Sequence, residues 1–235
     1  MIRNLLIGLL LLVTMLAMAS TTFADRPYCG KVCTDLPEGE MTLEDGTVHT
    51  GYQDWGSFSV VSDEYVLTNY HVVSDYLEEL KLDHSAAIVL FFANDDIKNG
   101  SYFKGDEEHD LALIRFEGGL GTGVHRIGIA GYFSPRRVTV AGYPGGGDYV
   151  EISARRFEDV GTDSVRFPGI FHPGISGSPV IDETGKLCAV LWGSDYTPKS
   201  KTNHGYAVRV EYVRELLEGT GVLEQPMGSR FLPVK

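Results

Sequence analysis

Short runs rich in Val, Ile, Phe and Tyr dominate this chain and limit what it can fold into. Clusters of Gly, Asp, Asn and Pro separate the runs at intervals that are typical of hairpins. The pattern favours an all-β fold, an antiparallel sandwich or barrel system, over a βαβ fold. The runs are WGSFSVV, EYVLT, AAIVLFF, LALIRF, RVTVAGY, YVEISARRF, DSVRF, SPVID, KLCAVLWG and GYAVRV.

Two segments depart from the β pattern and predict helices. The first is HVVSDYLEEL, His71–Leu80, and the second is EYVRELLEG, Glu211–Gly219, where apolar residues recur four positions apart. Between them, EGGLGTG at 117–123 carries four glycines and predicts a flexible connection between two β units of similar size. A long hairpin loop within one sheet is the alternative for this segment.

The N-terminus has the features of a secretory signal. Arg3 precedes an apolar run from Leu5 to Leu12, and small residues follow. Cleavage after Ala24 is expected, with a cut after Ala19 as the alternative. An uncleaved membrane anchor is disfavoured because the apolar stretch is short for a full span. We therefore expect an exported protein, secreted or periplasmic, with no stable membrane association after cleavage.

Charge and cysteine content narrow the possible partners. The formal net charge is −12 and the chain has no basic stripe, so nucleic acid is not an expected partner. Cys29 and Cys33 are close in sequence, and one small disulfide between them is expected. The alternative is a bond from either of them to Cys188, which lies in an apolar run and has the context of a buried thiol.

The stretch HPGISGSPV, His172–Val180, predicts a tight turn that presents a serine. A serine hydroxyl needs a base, a group that orients the base and donors for an oxyanion before it can act as a nucleophile. Ser176 is preceded by Gly174, whose conformational freedom allows nearby amides to converge on one point. Ser178 is the rival nucleophile, but it lacks a glycine two residues before it.

A base and an orienting acid are available in equally distinctive contexts. His71 follows an apolar strand in YVLTNYHVV, and strand ends are positions where functional side chains are commonly held. Asp110 directly precedes the apolar run LALIRF, where a partly buried carboxylate requires a partner such as a histidine N–H. Polar, loop-like contexts predict solvated side chains for His49, His84, His109, His125 and His204, and an acidic solvated loop for Asp106, Glu107 and Glu108.

Together these motifs resemble the chymotrypsin-type serine proteases, and most closely their bacterial HtrA-like (Deg) branch. The resemblance extends from about Trp55 to Leu217. It rests on three motifs in the order His, Asp, Ser and on two segments of the second half. The matching stretches are VLTNYHVV, DLALIRF, PGISGSPVID, VTVAGYPGG and GYAVRVEYVRELL.

The resemblance implies two six-stranded antiparallel β-barrels with a cleft between them and a C-terminal helix. His71 and Asp110 would lie on the first barrel and Ser176 on the second. The expected organisation is a signal peptide at 1–24, an N-terminal segment at 25–50, a first barrel at 51–122, a second barrel with its helix at 123–219 and a tail at 220–235.

The resemblance also implies a role for each candidate residue. Ser176 would attack the scissile carbonyl, His71 would act as general base and then general acid, and Asp110 would orient His71. The amides of Gly174 and Ser176 would form the oxyanion hole. No cofactor and no metal is implied, and the expected partner is a protein or peptide substrate. The sequence leaves the oligomeric state open.

Two departures from the family pattern affect activation and regulation. Ile175 stands where the family usually has Asn or Asp, and digestive-type members pair an Asp there with a new N-terminal amine. Activation by cleavage of a zymogen is therefore not expected. Ser178 replaces a common glycine, and no PDZ domain is expected after the last helix.

By the same resemblance, five residues would line the pocket for the P1 side chain, which precedes the scissile bond. They are Ile170, Phe171, Leu191, Trp192 and Gly193. No acid stands at the base of this pocket, so a small or apolar P1 residue is expected. Lys199, Lys201 and His204 near the rim leave an acidic P1 residue as the alternative.

Two further readings remain open for the function. The chain could be a catalytically inactive, protease-like secreted binding module that kept the barrels, although all three triad residues are present. It could also be an unrelated all-β binding domain that uses Trp55 and Trp192 as ligand platforms. That reading explains none of the three motifs.

Overall fold

The first half of the protein forms a closed, six-stranded antiparallel barrel. Its strands follow each other around the barrel in the order β1-β2-β3-β6-β5-β4. The barrel consists of β1 (Cys29–Thr42), β2 (Val48–Val60), β3 (Tyr65–Thr68), β4 (Ala87–Phe92), β5 (Ile97–Asp106) and β6 (Leu111–Phe116), with α1 (His71–Lys81) between β3 and β4. The computed structural model describes residues 28–42, 48–81, 86–155, 157–195 and 203–224.

Aromatic rings fill the interior of this barrel. Phe92 makes edge-to-face contacts with Phe58 and with Phe116, at centroid distances of 5.2 and 5.1 Å. All three rings are buried. The pairing of β1 with β4 closes the barrel at Gly30, because a side chain at that position would collide with the ring of Phe58. Aromatic burial of this kind is a major source of core stability.

The second half forms an eight-stranded sheet followed by a helix. Seven strands run in the order β10-β11-β14-β13-β12-β8-β9, and β7 pairs with β13. The strands are β7 (Gly128–Ile129), β8 (Val138–Gly142), β9 (Val150–Ala154), β10 (Glu158–Val160), β11 (Ser164–Pro168), β12 (Pro179–Asp182), β13 (Lys186–Ser194) and β14 (His204–Arg209), and the helix is α2 (Val210–Leu217).

The predicted chymotrypsin-like double-barrel architecture is confirmed, with one difference in the second half. There the sheet has eight strands, and over the described residues it forms a half-barrel in which no pairing joins β9 to β10. Both predicted helices are present as α1 and α2. Neither is long and apolar enough to cross a membrane, and the described ranges contain no other helix that is.

The first barrel begins earlier in the chain than the sequence indicates. Strand β1 starts at Cys29 and pairs with both β2 and β4, so residues 29–42 belong to the barrel and not to a separate N-terminal segment. The sequence conceals this strand because Gly30 and Thr34 occupy buried positions, where Val or Ile would mark a strand. The segment at 117–123 connects β6 of the barrel to β7 of the second sheet.

The expected disulfide between Cys29 and Cys33 is wrong. Both residues lie on β1, where a four-residue separation spans about 13 Å. A disulfide requires Cα atoms roughly 4.4 to 6.8 Å apart. The structure holds no disulfide among Cys29, Cys33 and Cys188, and all three are buried. Burial raises the pKa of the Cys33 thiol to about 11 and also raises the pKa of Cys188, so neither is a reactive thiolate.

Candidate active site

His71 and Asp110 meet at one end of the first barrel. Strand β3 ends at Thr68 and pairs with β6, whose Ala112 lies opposite Thr68. This pairing brings His71, the first residue of α1, beside Asp110, which precedes β6. Asp110 Oδ2 lies 2.7 Å from His71 Nδ1, and Oδ1 accepts a hydrogen bond from the His71 backbone N–H at 2.8 Å. Both carboxylate oxygens therefore fix the histidine.

A hydrogen bond from a buried side-chain amide fixes the Asp110 backbone. Asp110 has φ of 53°, a left-handed conformation that is uncommon for residues other than glycine. Asn69 donates a hydrogen bond from Nδ2 to the Asp110 carbonyl at 2.8 Å, and its side chain is fully buried. No motif in the sequence marks Asn69 as a site residue. The only signal was a polar residue between an apolar strand and His71, where a buried amide needs a fixed partner.

The loop that carries Ser176 packs closely against the backbone of two other segments, at Gly145 and at Ser57. Gly174 has φ of 81°, and a side chain there would lie 2.2 Å from the backbone nitrogen of Gly145. Gly177 has φ of 83°, and a side chain there would lie 2.1 Å from the carbonyl oxygen of Ser57. The glycines therefore serve close packing as well as the turn. This is a second reason for the GISG pattern.

Strand β2 connects the serine loop to the histidine. The Ser57 N–H donates to the Ser176 carbonyl at 2.7 Å, and the Thr68 hydroxyl donates to the Ser57 carbonyl at 2.8 Å. Thr68 is the last residue of β3, three positions before His71. Gly56 also lies against both Val72 of α1 and the Ser176 carbonyl. These contacts couple the position of the Ser176 loop to the end of β3 and the start of α1, where His71 lies.

The Ser176 hydroxyl is not bound to His71, and two nearby amides are not bound to a backbone carbonyl of the described residues. Ser176 Oγ donates to the carbonyl of Trp192 at 3.2 Å rather than to His71. The N–H of Gly177 is paired with Leu191. Within the described part of the chain, neither the Gly174 nor the Ser176 N–H donates to a backbone carbonyl. These are the two amides that the sequence predicts for an oxyanion hole.

Ser178 cannot act as the rival nucleophile. Its side chain is fully buried, and its Oγ has no hydrogen-bond partner among the described residues. It points toward Gly142, where even a methyl group would collide with it. Ser176 is therefore the serine of this loop that a substrate can reach.

Two other histidines form similar pairs with aspartates. His109 lies 2.7 Å from Asp106 and stacks on Tyr212 of α2, with only 16% of its side chain exposed. His204 lies 2.9 Å from Asp195. The expectation that His109 and Asp106 are solvated loop residues is therefore wrong, because the hairpin before β6 packs on the C-terminal helix.

Comparisons with known proteins identify the family of this chain. A family model described as a trypsin-like peptidase domain matches residues 56–190, more than half of the chain. The chain belongs to the trypsin-like peptidase family. No curated protein matches it. A crystal structure of Rv3671c from M. tuberculosis H37Rv, a Ser343Ala mutant in an inactive form, superposes with a TM-score of 0.58 at 20% identity, covering 90% of this chain and 96% of that one.

Membership of the trypsin-like peptidase family establishes the superfamily and the protease class predicted from the sequence. At 20% identity, the Rv3671c structure supports the fold alone. The closer resemblance to the HtrA-like branch stays a prediction.

The five predicted pocket residues of this trypsin-like domain divide into two groups. Phe171 and Leu191 are completely buried. Ile170 and Trp192 are 55% and 36% exposed, and the space around the Gly193 Cα is open. The five residues therefore comprise two buried apolar side chains and three residues with open or exposed surface. Lys199 and Lys201 lie outside the described residues.

A second carboxyl lies near His71, and sequence analysis missed it. Asp54 on β2 is half-buried and accepts a hydrogen bond from the Trp55 N–H at 2.8 Å. Burial raises the pKa of the Asp54 carboxyl, while that hydrogen bond and the nearby His71 act in the opposite direction. Asp54 belongs to no recognisable motif, and only the folding of α1 onto the barrel reveals its position. No cluster of His, Cys, Asp and Glu suited to a metal ion occurs among the described residues.

Replacement of Gly177 by Ala tests the contact between the serine loop and β2. Gly177→Ala adds a left-handed Ala, which costs about 1–2 kcal/mol, and a collision with the Ser57 carbonyl. We expect a total loss of unfolding free energy of about 2–5 kcal/mol, because overpacking adds about 1–3 kcal/mol to the conformational cost. Urea denaturation measures this loss.

The matched control is Gly123→Ala, because Gly123 has φ of 86° and no atom near its missing side chain. The unfolding free energy of this variant should fall only by the conformational cost of a left-handed Ala, about 1–2 kcal/mol. Equal losses in the two variants would contradict the close contact.

Proposed function

We propose that this protein is an exported serine endopeptidase that cleaves peptide bonds through Ser176, His71 and Asp110. The observation that most directly supports the proposal is that both Asp110 carboxylate oxygens contact His71, one at its backbone N–H and one at Nδ1. Membership of the trypsin-like peptidase family supports the reaction class. Substrates are proteins or peptides, because the family is one of peptidases.

The His71 tautomer follows from its partner. A carboxylate can only accept hydrogen bonds, so the 2.7 Å contact with Asp110 places the ring proton on Nδ1. Nε2 is then an unprotonated acceptor, as a general base requires. Asp110 also stabilises the imidazolium that forms when His71 takes the Ser176 proton.

The reaction proceeds in two halves. The Ser176 hydroxyl leaves its hydrogen bond to the Trp192 carbonyl, transfers its proton to His71 and attacks the scissile carbonyl carbon. The amides of Gly174 and Ser176 donate to the oxygen as negative charge develops on it. His71 then protonates the leaving amine. In the second half, His71 activates a water molecule that hydrolyses the acyl-enzyme and regenerates the Ser176 hydroxyl.

This protease does not depend on a new N-terminus for activity. Ile175 is almost completely buried in the apolar core of the second sheet, at the position where digestive relatives carry an ion-paired Asp. A charged amine inserted beside it would lose hydration with no carboxylate to compensate. The serine loop is instead held by Ser57, Gly145 and Leu191 through backbone hydrogen bonds.

Export accounts for the apolar N-terminus. Residues 1–24 carry the signal pattern, and the remaining chain would act in the periplasm or outside the cell. N-terminal sequencing of the exported protein should begin at Asp25, or at Ser20 if the earlier site is used. Recovery of the protein with Met1 intact in the membrane fraction would contradict export with cleavage.

Hydrolysis of unfolded casein by the purified mature protein tests the triad. We expect Ser176→Ala to abolish hydrolysis because the nucleophile is lost. Asp110→Asn should lower kcat by about 10,000-fold, because an amide stabilises the wrong tautomer of His71. Steady-state rates and circular dichroism of each variant separate loss of activity from loss of structure.

The matched controls are Ser178→Ala and Asp106→Asn. Ser178 lies in the same loop but is buried, and Asp106 pairs with His109 in the same geometry as Asp110 with His71. Both controls should keep most of the wild-type rate. A well-folded wild-type protein that neither cleaves casein nor reacts with a serine-directed fluorophosphonate would instead support the inactive binding module.

A further inference from the structure

The nucleophile loop lies between two chain segments that define where a substrate side chain can go. On one side, β13 contacts the loop, through the Leu191 carbonyl to the Gly177 N–H and the Trp192 carbonyl to Ser176 Oγ. On the other side, residues 169–172 lead directly into the loop. By the resemblance to chymotrypsin-type proteases, the P1 side chain of a substrate would enter the gap between these two segments.

The chain's own side chains fill this gap. The Phe171 ring lies between Gly169 and Gly205, and a Cβ at either glycine would come within 2.4 and 2.6 Å of the ring, respectively. The Leu191 side chain reaches the same place, 2.9 Å from a Cβ at Gly205. Neither glycine has a positive φ, so the space for the ring explains the missing side chains. Phe171 and Leu191 are fully buried.

The two segments are also tied together beyond the gap. Ser194 Oγ donates to the Phe171 carbonyl at 2.8 Å, and the Phe171 ring packs edge-to-face on Phe167 at 5.6 Å. These contacts hold the ring in place. What remains open is the rim, formed by the exposed Ile170 and Trp192 and by Gly193, which has open space where a side chain would lie.

His204 offers little attraction for an acidic P1 side chain. His204, the titratable residue at the start of β14, is bound by both oxygens of Asp195, through its Nδ1 at 2.9 Å and its backbone N–H at 2.6 Å. The Asp195 carboxylate therefore opposes an acidic group near His204. This removes the role that the sequence suggested for His204 in recognising an acidic P1 residue.

We propose that Phe171, with Leu191, closes the P1 pocket at Gly205 and restricts this protease to small aliphatic P1 residues such as Ala and Val. The inference rests on the proposed endopeptidase function. Phe171 acts as the floor of the pocket, so a bulky P1 side chain, whether apolar or charged, has no space.

A series of quenched peptides that differ only at P1 tests the inference. With Ala, Val, Phe, Glu and Lys at that position, the wild-type protein should give kcat/KM values for Ala and Val at least ~10-fold above the others, the range expected for apolar pocket discrimination. Phe171→Ala should open the pocket and raise the ratio of Phe to Ala cleavage by about 10-fold or more. Phe171→Leu, which disturbs the core less, should raise it partially.

The matched control is Phe157→Ala, which removes an aromatic ring from the same core. Phe157 contacts Phe167 at 6.2 Å, one ring removed from Phe171. The P1 ratios should not change in this variant, even though it also loses core packing.

Two results would overturn the inference: a wild-type preference for Phe, Glu or Lys, or unchanged ratios in both Phe171 variants. Fluorophosphonate labelling of Ser176 would still occur in those cases, which separates failure of the pocket inference from failure of the proposed function. Absence of both labelling and cleavage would overturn both.

Discussion

The contact between Ser57 on the first barrel and the Ser176 loop on the second half is the constraint on which the site depends. The Ser57 N–H donates to the Ser176 carbonyl. The Ser57 carbonyl accepts a hydrogen bond from the Thr68 hydroxyl and occupies the space that a Gly177 side chain would need. The Ser57 hydroxyl also accepts from the Tyr143 N–H at 2.9 Å. A buried hydrogen bond contributes only about 1 kcal/mol, so this network matters more for position than for stability.

The architecture and the three candidate residues could be predicted because each has a local signal. Short apolar runs between turn residues indicate antiparallel strands, and His71, Asp110 and Ser176 each occur at the end of such a run or in a glycine-rich turn. Asn69, Asp54 and Ser57 could not be selected in the same way. Their importance depends on which strands pair and on where α1 packs, and a single sequence does not reveal these relations.

The wrong predictions share a physical origin in long-range packing. The Cys29–Cys33 disulfide was expected from sequence proximity, but an extended strand separates residues that a turn would bring together. His109 was expected to be solvated, but the hairpin before β6 packs on α2, where Lys104 donates to the Leu216 carbonyl and His109 stacks on Tyr212. The burial of Phe171 also depends on long-range packing, because its ring lies against Gly169 and Gly205 on two different segments.

The most direct test of the proposed triad is a crystal structure of the protein after reaction with a phosphonate inhibitor. We predict that phosphorus is bonded to Ser176 Oγ and that one phosphonyl oxygen lies within hydrogen-bond distance of the Gly174 and Ser176 amides. We also predict that His71 Nε2 faces the adduct while His71 Nδ1 keeps its hydrogen bond to Asp110. An adduct on another residue, or a His71 ring turned away from Ser176 with the Asp110 contact broken, would contradict the proposed triad.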